Sequence, residues 1–307
     1  MRKNRIFKCV MAALLSAGMV LTGVNYCPGG GQESKAAVTL PTPIYENDFE
    51  KEDAAKGTIV GGGSIVNATD TTHGKVFENA AVEGGDTKRA NFFQLPAALF
   101  NSNAAQIAEK KGITVSFAVN ANGKSVMYSP VFSAYGAAPV NGENTFPMFI
   151  IQGRQLIQFN ANGFCDFTDA DNVNGKNVES IDYMKDNGWH TVTVTISDNK
   201  AVYYVDGLPA NSWNHAVPGF LNAAGIGSLN YICLGGNQAW NWADDDAFYQ
   251  FDDVKIYAEA LSSAQVYKLA TGSESSSDKT NLEAALAKAN AVRQELYTEQ
   301  SSTEFRS

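Results

Sequence analysis

Polar and apolar side chains alternate along residues 189–196, in the sequence WHTVTVTI. Every second side chain falls on the same face, which is the period of two expected of a half-buried β-strand. One face carries threonines, and the other carries His190, Val192, Val194 and Ile196. Asp198-Asn199 and Asp206-Gly207 tolerate the left-handed conformations of tight turns, and a second alternating run lies between them. The pattern therefore predicts an antiparallel meander.

Short apolar runs of this kind recur along most of the chain, separated by Gly, Asn and Asp. Such spacing is typical of an all-β sandwich of two antiparallel sheets. We predict strands over residues 57–66, 91–95, 112–120, 126–133, 147–151, 155–160, 189–196, 201–206, 231–234 and 248–257. Little helix is predicted in this region: a single turn over residues 97–100, and a helix over residues 262–269 that Ser262 caps.

The beginning of the chain has a different composition. Basic residues up to Lys8 precede the apolar stretch VMAALLSAGMVLTGV, which is too short for a comfortable membrane span. We therefore predict that residues 1–36 are an export signal peptide, cleaved before Ala37. The protein is expected to be secreted or attached to the cell surface, with no membrane insertion once the signal is removed.

The end of the chain changes period. Residues 273–280 have the sequence SESSSDKT, which predicts a polar linker. Beyond it, apolar side chains recur at helical spacing in residues 281–307, at Leu282, Leu286, Ala289 and Val292. This short helical segment resembles the start of the FIVAR helical repeats that separate modules in large bacterial surface proteins. Further modules of the same chain are therefore expected partners.

Charge narrows the range of partners. The 307-residue chain has a formal net charge of −9 at pH 7. Because residues 1–36 carry five basic side chains and one acidic side chain, the remaining residues carry −13. Such a surface repels phosphate backbones and anionic lipids, so nucleic acid and membrane-surface partners are not expected. Cys165 and Cys233 lie in apolar, strand-like sequence, where unpaired buried thiols are more common than a disulfide.

Four sequence landmarks occur in order along the predicted sandwich. They are GITVSFAVNA (112–121), NGWHTVTVTISDNKAVYYVDGLPA (187–210), YICLGG (231–236) and FYQFDDVKIYAEALSSAQVYKLA (248–270). Together they resemble the core strands of laminin-G-like domains of the concanavalin A-like lectin/glucanase superfamily, in their bacterial form. The resemblance implies that residues 37–272 form a two-sheet jelly-roll sandwich, and that this domain binds rather than catalyses. One position departs from it, because the family usually has Trp where Ala118 stands.

Three of the four tryptophans fall in predicted loops, next to asparagine and aspartate. Indole rings stack on the apolar faces of pyranose sugars, while amides and carboxylates hydrogen-bond to hydroxyl groups. The candidate ligand-binding residues are Trp213, Asn214, Trp240, Asn241, Trp242 and Asp244. An alternative interpretation is that these indoles fold back over the edge of the sandwich as packing, and the sequence leaves both open.

A second candidate site is acidic. Asp252 alternates with Val254 and Ile256, so we predict that it points into the core, where a carboxylate needs a partner. That partner could be a backbone amide, His190, or a calcium ion shared with Asp48 or Glu50. Hydrogen bonding to the backbone is the preferred interpretation, and structural Ca²⁺ is the one cofactor considered. His190 itself is predicted to be a hydrogen-bonded core histidine rather than a catalytic group.

The sequence argues against catalysis. Laminarinase-type enzymes of the superfamily carry Glu, Asp and Glu on alternate residues of one strand, and none of the predicted strands has that pattern. Glu46, Asp48 and Glu50 have this spacing in ENDFE, outside the predicted strands, and Glu179 and Asp182 have the wrong spacing. The leading hypothesis is a secreted, non-catalytic glycan-binding or adhesion module of a larger extracellular bacterial protein. A structural or protein-binding spacer attached to a carbohydrate-active enzyme is the alternative, and a glycoside hydrolase ranks third.

Overall fold

The structure is a computed structural model that describes residues 37–80, 91–122, 130–136, 148–152, 156–160, 166–167, 187–198, 200–213, 221–236 and 248–273. The strands in these ranges are β1 (Tyr45–Asn47), β2 (Thr58–Val60), β3 (Ser64–Asn67), β4 (Lys75–Glu78), β5 (Phe92–Gln94), β6 (Gly112–Asn120), β7 (Pro130–Tyr135), β8 (Met148–Gln152), β9 (Leu156–Asn160), β10 (Asp166–Phe167), β11 (Trp189–Ser197), β12 (Ala201–Val205), β13 (Leu208–Trp213), β14 (Tyr231–Leu234) and β15 (Gln250–Tyr257). The helices are α1 (Leu99–Lys110), α2 (Ala223–Gly227) and α3 (Ser263–Thr271).

The described strands form two antiparallel sheets. Sheet A has eight strands in the order β13-β12-β11-β6-β15-β4-β3, with β1 also paired to β15. Sheet B has seven strands in the order β10-β9-β8-β7-β14-β5-β2. The predicted fold class, an all-β jelly-roll sandwich of two antiparallel sheets, is therefore confirmed.

The core lies between the sheets and follows from the alternation in the sequence. Val192, Val194 and Ile196 of β11 are buried in it, as the period of two predicts. Phe77 of sheet A contacts Phe93 of sheet B at 5.7 Å between ring centroids, which joins the inner faces of the two sheets. The opposite face of β11 carries the threonines, one of which hydrogen-bonds across to β6.

Several strand predictions need correction. Residues 57–66 were predicted as one strand, but they form β2 in sheet B and β3 in sheet A. The chain changes sheets at Gly61, which has a φ of +77° that glycine adopts without strain. Four strands, β1, β4, β10 and β13, were not predicted, because each is short and lacks a clean alternation of apolar side chains.

The helical predictions have mixed outcomes. The single turn predicted over residues 97–100 is the start of α1, a helix of 12 residues. Its buried side chains, Leu99, Phe100, Ala104 and Ile107, are separated by polar residues that hid the helical period. The prediction for α3 is confirmed, because Ser262 forms a capping box with Gln265 at its N-terminus.

Helix α3 covers part of the outer face of sheet A. Its Val266 packs with Val202 and Tyr204 of β12 in a second, smaller apolar cluster. Lys268 Nζ donates a hydrogen bond to the carbonyl oxygen of Val38 at 2.5 Å, so the first described residues lie along this helix. Among the described residues no helix is long and apolar enough to cross a membrane.

The predicted signal peptide, the FIVAR-like segment and all of the linker except Ser273 lie outside the described residues, so these domain boundaries stay predictions. Cys165 also lies outside them. Cys233 of β14 is a buried free thiol, and burial raises its pKa to about 12, which makes it unreactive at neutral pH.

Candidate functional site

One end of the sandwich collects the strand ends that flank the predicted ligand-binding residues. Asn120, the last residue of β6, pairs with Trp189 of β11 and with Gln250 of β15. Segment 237–247 connects β14 of sheet B to β15 of sheet A. It contains Trp240, Asn241, Trp242 and Asp244. The whole segment lies outside the described residues, whereas Gly236 before it and Phe248 after it are described.

Asparagine side chains hold the two ends of this segment. The Asn79 side chain donates from Nδ2 to the carbonyl oxygen of Gly235 at 2.6 Å and accepts at Oδ1 from the Tyr249 N–H at 2.6 Å. Asn122 Nδ2 donates to the carbonyl oxygen of Phe248 at 2.8 Å. We call Asn79 and Asn122 the loop anchors. They bring the end of β14 and the start of β15 together at the rim between the sheets.

The other predicted ligand-binding residues lie elsewhere. The backbone of Trp213, at the end of β13, pairs with Ala201, which in turn pairs with Ile196 opposite Ile113 of β6. Asn120 lies seven positions after Ile113 along β6, which is about 23 Å at the usual rise per residue. Trp213 and the ends of segment 237–247 thus occupy opposite ends of sheet A. Asn214 follows Trp213 and lies outside the described residues.

The environment of Asp252 corrects its predicted orientation. The register of β15 against β6 shifts between Asp252 and Lys255, and Asp253 has a φ of +49°, so β15 contains a β-bulge. The bulge places Phe251 and Val254 in the core. Asp252 instead pairs with Ala118 on the outer face of sheet A, where it is only 4% exposed.

The three predicted metal ligands influence one another electrostatically. Burial raises the pKa of Asp252 to about 7, the hydrogen bond from the Asp253 N–H opposes this rise, and the charges of Asp253, Asp48 and Glu50 add to it. Each acid already accepts a backbone N–H: Asp252 from Asp253 at 2.7 Å, Glu50 from Lys75 at 2.8 Å, and Asp48 from Glu50 at 3.2 Å.

The fit of these acids to calcium can be examined directly. Calcium takes six to eight oxygen ligands, so a protein site needs several side chains that converge on one point. Within the described part of the chain, no three His, Cys, Asp or Glu side chains converge in a way that could hold an ion. Backbone amides are thus the observed partners of these carboxylates, and calcium binding stays a prediction.

The same outer face carries an aromatic contact that the sequence analysis did not predict. The rings of His73 and Trp189 stack at 4.1 Å with an interplanar angle of 17°. His73 lies in the loop that leads into β4, whereas Trp189 starts β11, and β6 and β15 run between these two strands. The ring pair therefore crosses the sheet on the side of Ala118, the position where the family usually has Trp. The signal was available, because the alternation of β11 directs Trp189 away from the core.

His190 has a structural role in the described residues. Its Nδ1 lies 2.8 Å from Asp206 Oδ2, and Asp206 Oδ1 accepts the Thr191 N–H at 2.9 Å. Asp206 has a φ of +52° and Gly207 a φ of +78°, so both residues of the predicted turn are left-handed. The pair ties the start of β11 to the turn between β12 and β13. The predicted hydrogen bond of His190 is therefore confirmed, but its predicted place in the core is wrong, because the side chain is 18% exposed.

Three solved structures similar to this chain are distant from it in sequence. Domain 4 of AbnA, an extracellular GH43 arabinanase from Geobacillus stearothermophilus in complex with arabinotriose, is 17% identical with a TM-score of 0.44, over 70% of this chain and 88% of that one. The binding domain of botulinum neurotoxin DC in complex with rat synaptotagmin II is 14% identical with a TM-score of 0.45, over 75% of this chain and 51% of that one. A sialidase from Trypanosoma rangeli is 15% identical with a TM-score of 0.41, over 71% of this chain and 33% of that one.

No curated protein sequence matches this chain. The family profile named Laminin_G_3, described as Concanavalin A-like lectin/glucanases superfamily, matches residues 91–267. This match covers more than half of the 307 residues and includes the four landmarks from β6 to most of α3. The two antiparallel sheets agree with it. The chain therefore belongs to the concanavalin A-like lectin/glucanases superfamily.

Proposed function

We propose that this chain is a secreted, non-catalytic glycan-binding or adhesion module of a larger extracellular bacterial protein. Its ligand is a glycan or a cell-surface polysaccharide. Trp240 and Trp242 stack on sugar rings, and Asn241 and Asp244 hydrogen-bond to hydroxyl groups. The proposal extends the superfamily assignment with the chemistry of these side chains, because the fold alone does not determine function.

The observation that carries the proposal is the position of segment 237–247. Its ends belong to strands of different sheets, so the segment starts and finishes at the rim of the sandwich. Both ends are held by the loop anchors, one of which is only 1% exposed. A rigid scaffold that presents a variable connection is the usual way in which β-sandwiches carry binding residues.

We propose that Trp213 and Asn214 contact the ligand separately from segment 237–247. About 23 Å of strand separates their level in sheet A from the ends of segment 237–247. One monosaccharide therefore does not bridge both groups. We assign the principal ligand contacts to segment 237–247 and treat Trp213 with Asn214 as an independent second contact for a longer polysaccharide.

A glycan array probed with the full chain tests the proposal. We expect binding to at least one sugar class, and a loss of roughly tenfold or more in affinity for the double variant Trp240→Ala, Trp242→Ala. Trp213→Ala is the matched control, an indole removed at the opposite end of sheet A, and it should retain binding to short glycans.

Two further outcomes would redirect the assignment. If the folded chain binds no sugar, the spacer hypothesis replaces the glycan-binding one. Incubation with polysaccharides should yield no new reducing ends, and their appearance would instead support a hydrolase.

A further inference from the structure

One side of the sandwich carries an edge strand of each sheet. Strand β2 is the last strand of sheet B, β3 is the last strand of sheet A, and residues 61–63 connect them. Ile59 of β2 is 39% exposed, and Ser64 and Asn67 of β3 are also exposed. Among the described residues no further strand pairs with either edge. The outward backbone groups of both strands are therefore open to a strand from outside.

The register of β3 identifies the backbone groups that point outward. The Ala68 N–H donates to the Gly74 carbonyl at 2.7 Å, and hydrogen-bonded pairs alternate along an antiparallel ladder. Val66, two residues earlier, therefore exchanges hydrogen bonds with β4. Ile65 and Asn67 direct their N–H and C=O groups away from β4, toward the outside of the sheet.

Strand β2 follows the same alternation. The Leu95 N–H donates to the Ile232 carbonyl at 2.8 Å, in register with the pairing of β5 and β14. The next residue back, Gln94, therefore bonds to its partner on the other side, Thr58 of β2. Ile59 lies between the bonded positions of β2 and directs its backbone groups outward.

Exposed edges of sheets usually carry a feature that prevents pairing, such as a proline, a charged side chain or a β-bulge. The opposite edge of sheet A has two of them, because β13 contains Pro209 and its register with β12 is shifted. Residues 57–69, GTIVGGGSIVNAT, contain no charged residue and no proline. The pairing of β3 with β4 is also regular. Along this described stretch, the short length of β2 and β3 is the feature that limits pairing.

The spacing of the outward groups on β3 fits a second copy of the same strand. If Ile65 of one copy lies opposite Asn67 of the other, a two-fold axis passes beside Val66 and both residues donate and accept across it. The Ile65 side chain packs against the core, so Val66 lies on the outer face and meets the same valine of the second copy. No like charges oppose each other in this register, although the chain carries −9 overall.

We propose that β3 is a self-association edge, at which two copies of this chain pair as antiparallel strands and join their sheets A into one continuous sheet. The proposal does not rest on the proposed function, because it concerns no ligand. Since the paired strands are short, we expect a weak dimer with a Kd of about 100 μM.

Sedimentation velocity of the full chain between about 10 μM and about 1 mM measures the dimer. Val66→Lys places two lysines opposite each other at the two-fold axis, and Asn67→Pro removes an N–H that β4 does not use. Leu208→Lys is the matched control. It adds the same charge at a side chain that is 60% exposed, on the edge that Pro209 already blocks.

We expect the average mass of the native chain to rise toward twice that of the monomer, and Val66→Lys and Asn67→Pro to weaken the dimer about tenfold or more. Leu208→Lys should stay within about twofold of the native Kd. Salt at about 0.5 M should strengthen the native dimer, because it screens the repulsion between two negatively charged copies.

Amide exchange of the native chain gives a second measurement that needs no variant. Exchange at Ile65 and Asn67 should slow as the concentration rises, whereas exchange at Leu208 should not change. A native chain that stays monomeric at about 1 mM would overturn the proposal and leave the edge to an extended segment of another protein. Dimers that persist in both folded β3 variants, or that weaken equally in Leu208→Lys, would also overturn it.

Discussion

Replacing Asp252 by asparagine should stabilise the sandwich at alkaline pH. Asp252 is 4% exposed on the outer face of sheet A, and its pKa is raised to about 7, first by burial and then by the charges of Asp253, Asp48 and Glu50. Asparagine has the same shape and can still accept the Asp253 N–H, but it carries no charge. Asp252→Asn therefore removes the unfavourable ionisation and keeps the observed hydrogen bond.

The direction in which the free energy of unfolding changes with pH follows from the number of protons bound in each state. The folded pKa of about 7 exceeds the pKa of 3.8 that is ordinary for an aspartate in an unfolded chain, so between these pH values the folded state holds a proton that the unfolded state has released. The free energy of unfolding then falls as pH rises from about 4 to about 7 and is level above it. A full shift of about three pKa units corresponds to about 4 kcal/mol. Because water screens the neighbouring surface carboxylates, we expect about 2 to 4 kcal/mol.

Thermal melts of the full chain at pH 4.5 and pH 8 measure this difference. We expect Asp252→Asn to match the native melting temperature at the acidic pH within about 2 °C, and to exceed it by roughly 5 to 15 °C at pH 8. The control is Glu109→Gln, which neutralises an exposed carboxylate on α1. A gain at pH 8 as large as that of Asp252→Asn in this control would mean that the loss of any carboxylate suffices. A variant less stable than the native chain at pH 8 would refute the reasoning, since it would mean that Asp252 is ionised and held by a favourable partner.

Two other predictions concern single features of the structure. Ser262→Ala removes the capping box of α3 and should lower the free energy of unfolding by about 1 kcal/mol, measured by urea denaturation, with the exposed Ser273→Ala as a control that leaves it unchanged. Millimolar calcium should raise the melting temperature by several degrees over chelator if the acids around Asp252 bind it, with magnesium doing less. Identical melting temperatures in calcium and in chelator would rule out the calcium hypothesis. A calcium-dependent rise that persists in Asp252→Asn would assign the ion to residues 244–246.

The fold was predictable because a half-buried sheet needs an apolar side chain at every second position, and this alternation is visible in the sequence. The threonines and valines of β11 specified a strand, its buried face and its turns without reference to any other element. Failures occurred where the period was interrupted or short. The three glycines 61–63 concealed a change of sheet, and the polar residues between Leu99 and Ile107 concealed a helix whose buried side is set by tertiary packing.

The candidate site was less predictable, for a physical reason. Alternation predicted the wrong face for Asp252, because the β-bulge at Asp253 inserts one residue and the sequence does not mark it. The role of Asn79 depends on two strands that are distant in sequence, at separations of 156 and 170 residues. Only the side-chain types expected at a glycan site could be predicted from the sequence, and their spatial grouping could not.

Strand β15 links the acidic cluster to the proposed ligand site, so the two can be tested against each other. Asp252 lies three residues after Tyr249. Phe248 and Tyr249, which follow segment 237–247, are held by Asn122 and Asn79 from outside β15. Ligand binding responds to the charge of Asp252 only if its proton affinity differs between the free and bound folded states. Since Asp252 lies on the outer face of sheet A and the anchors lie at the rim, we expect glycan affinity to change less than about twofold between pH 5.5 and 8 while the melting temperature falls. Titration of the full chain with a glycan identified on the array, at both pH values, measures this. An affinity that follows the ionisation of Asp252, and becomes constant in Asp252→Asn, would place the acidic cluster inside the ligand site and contradict the separation argued from the strand register.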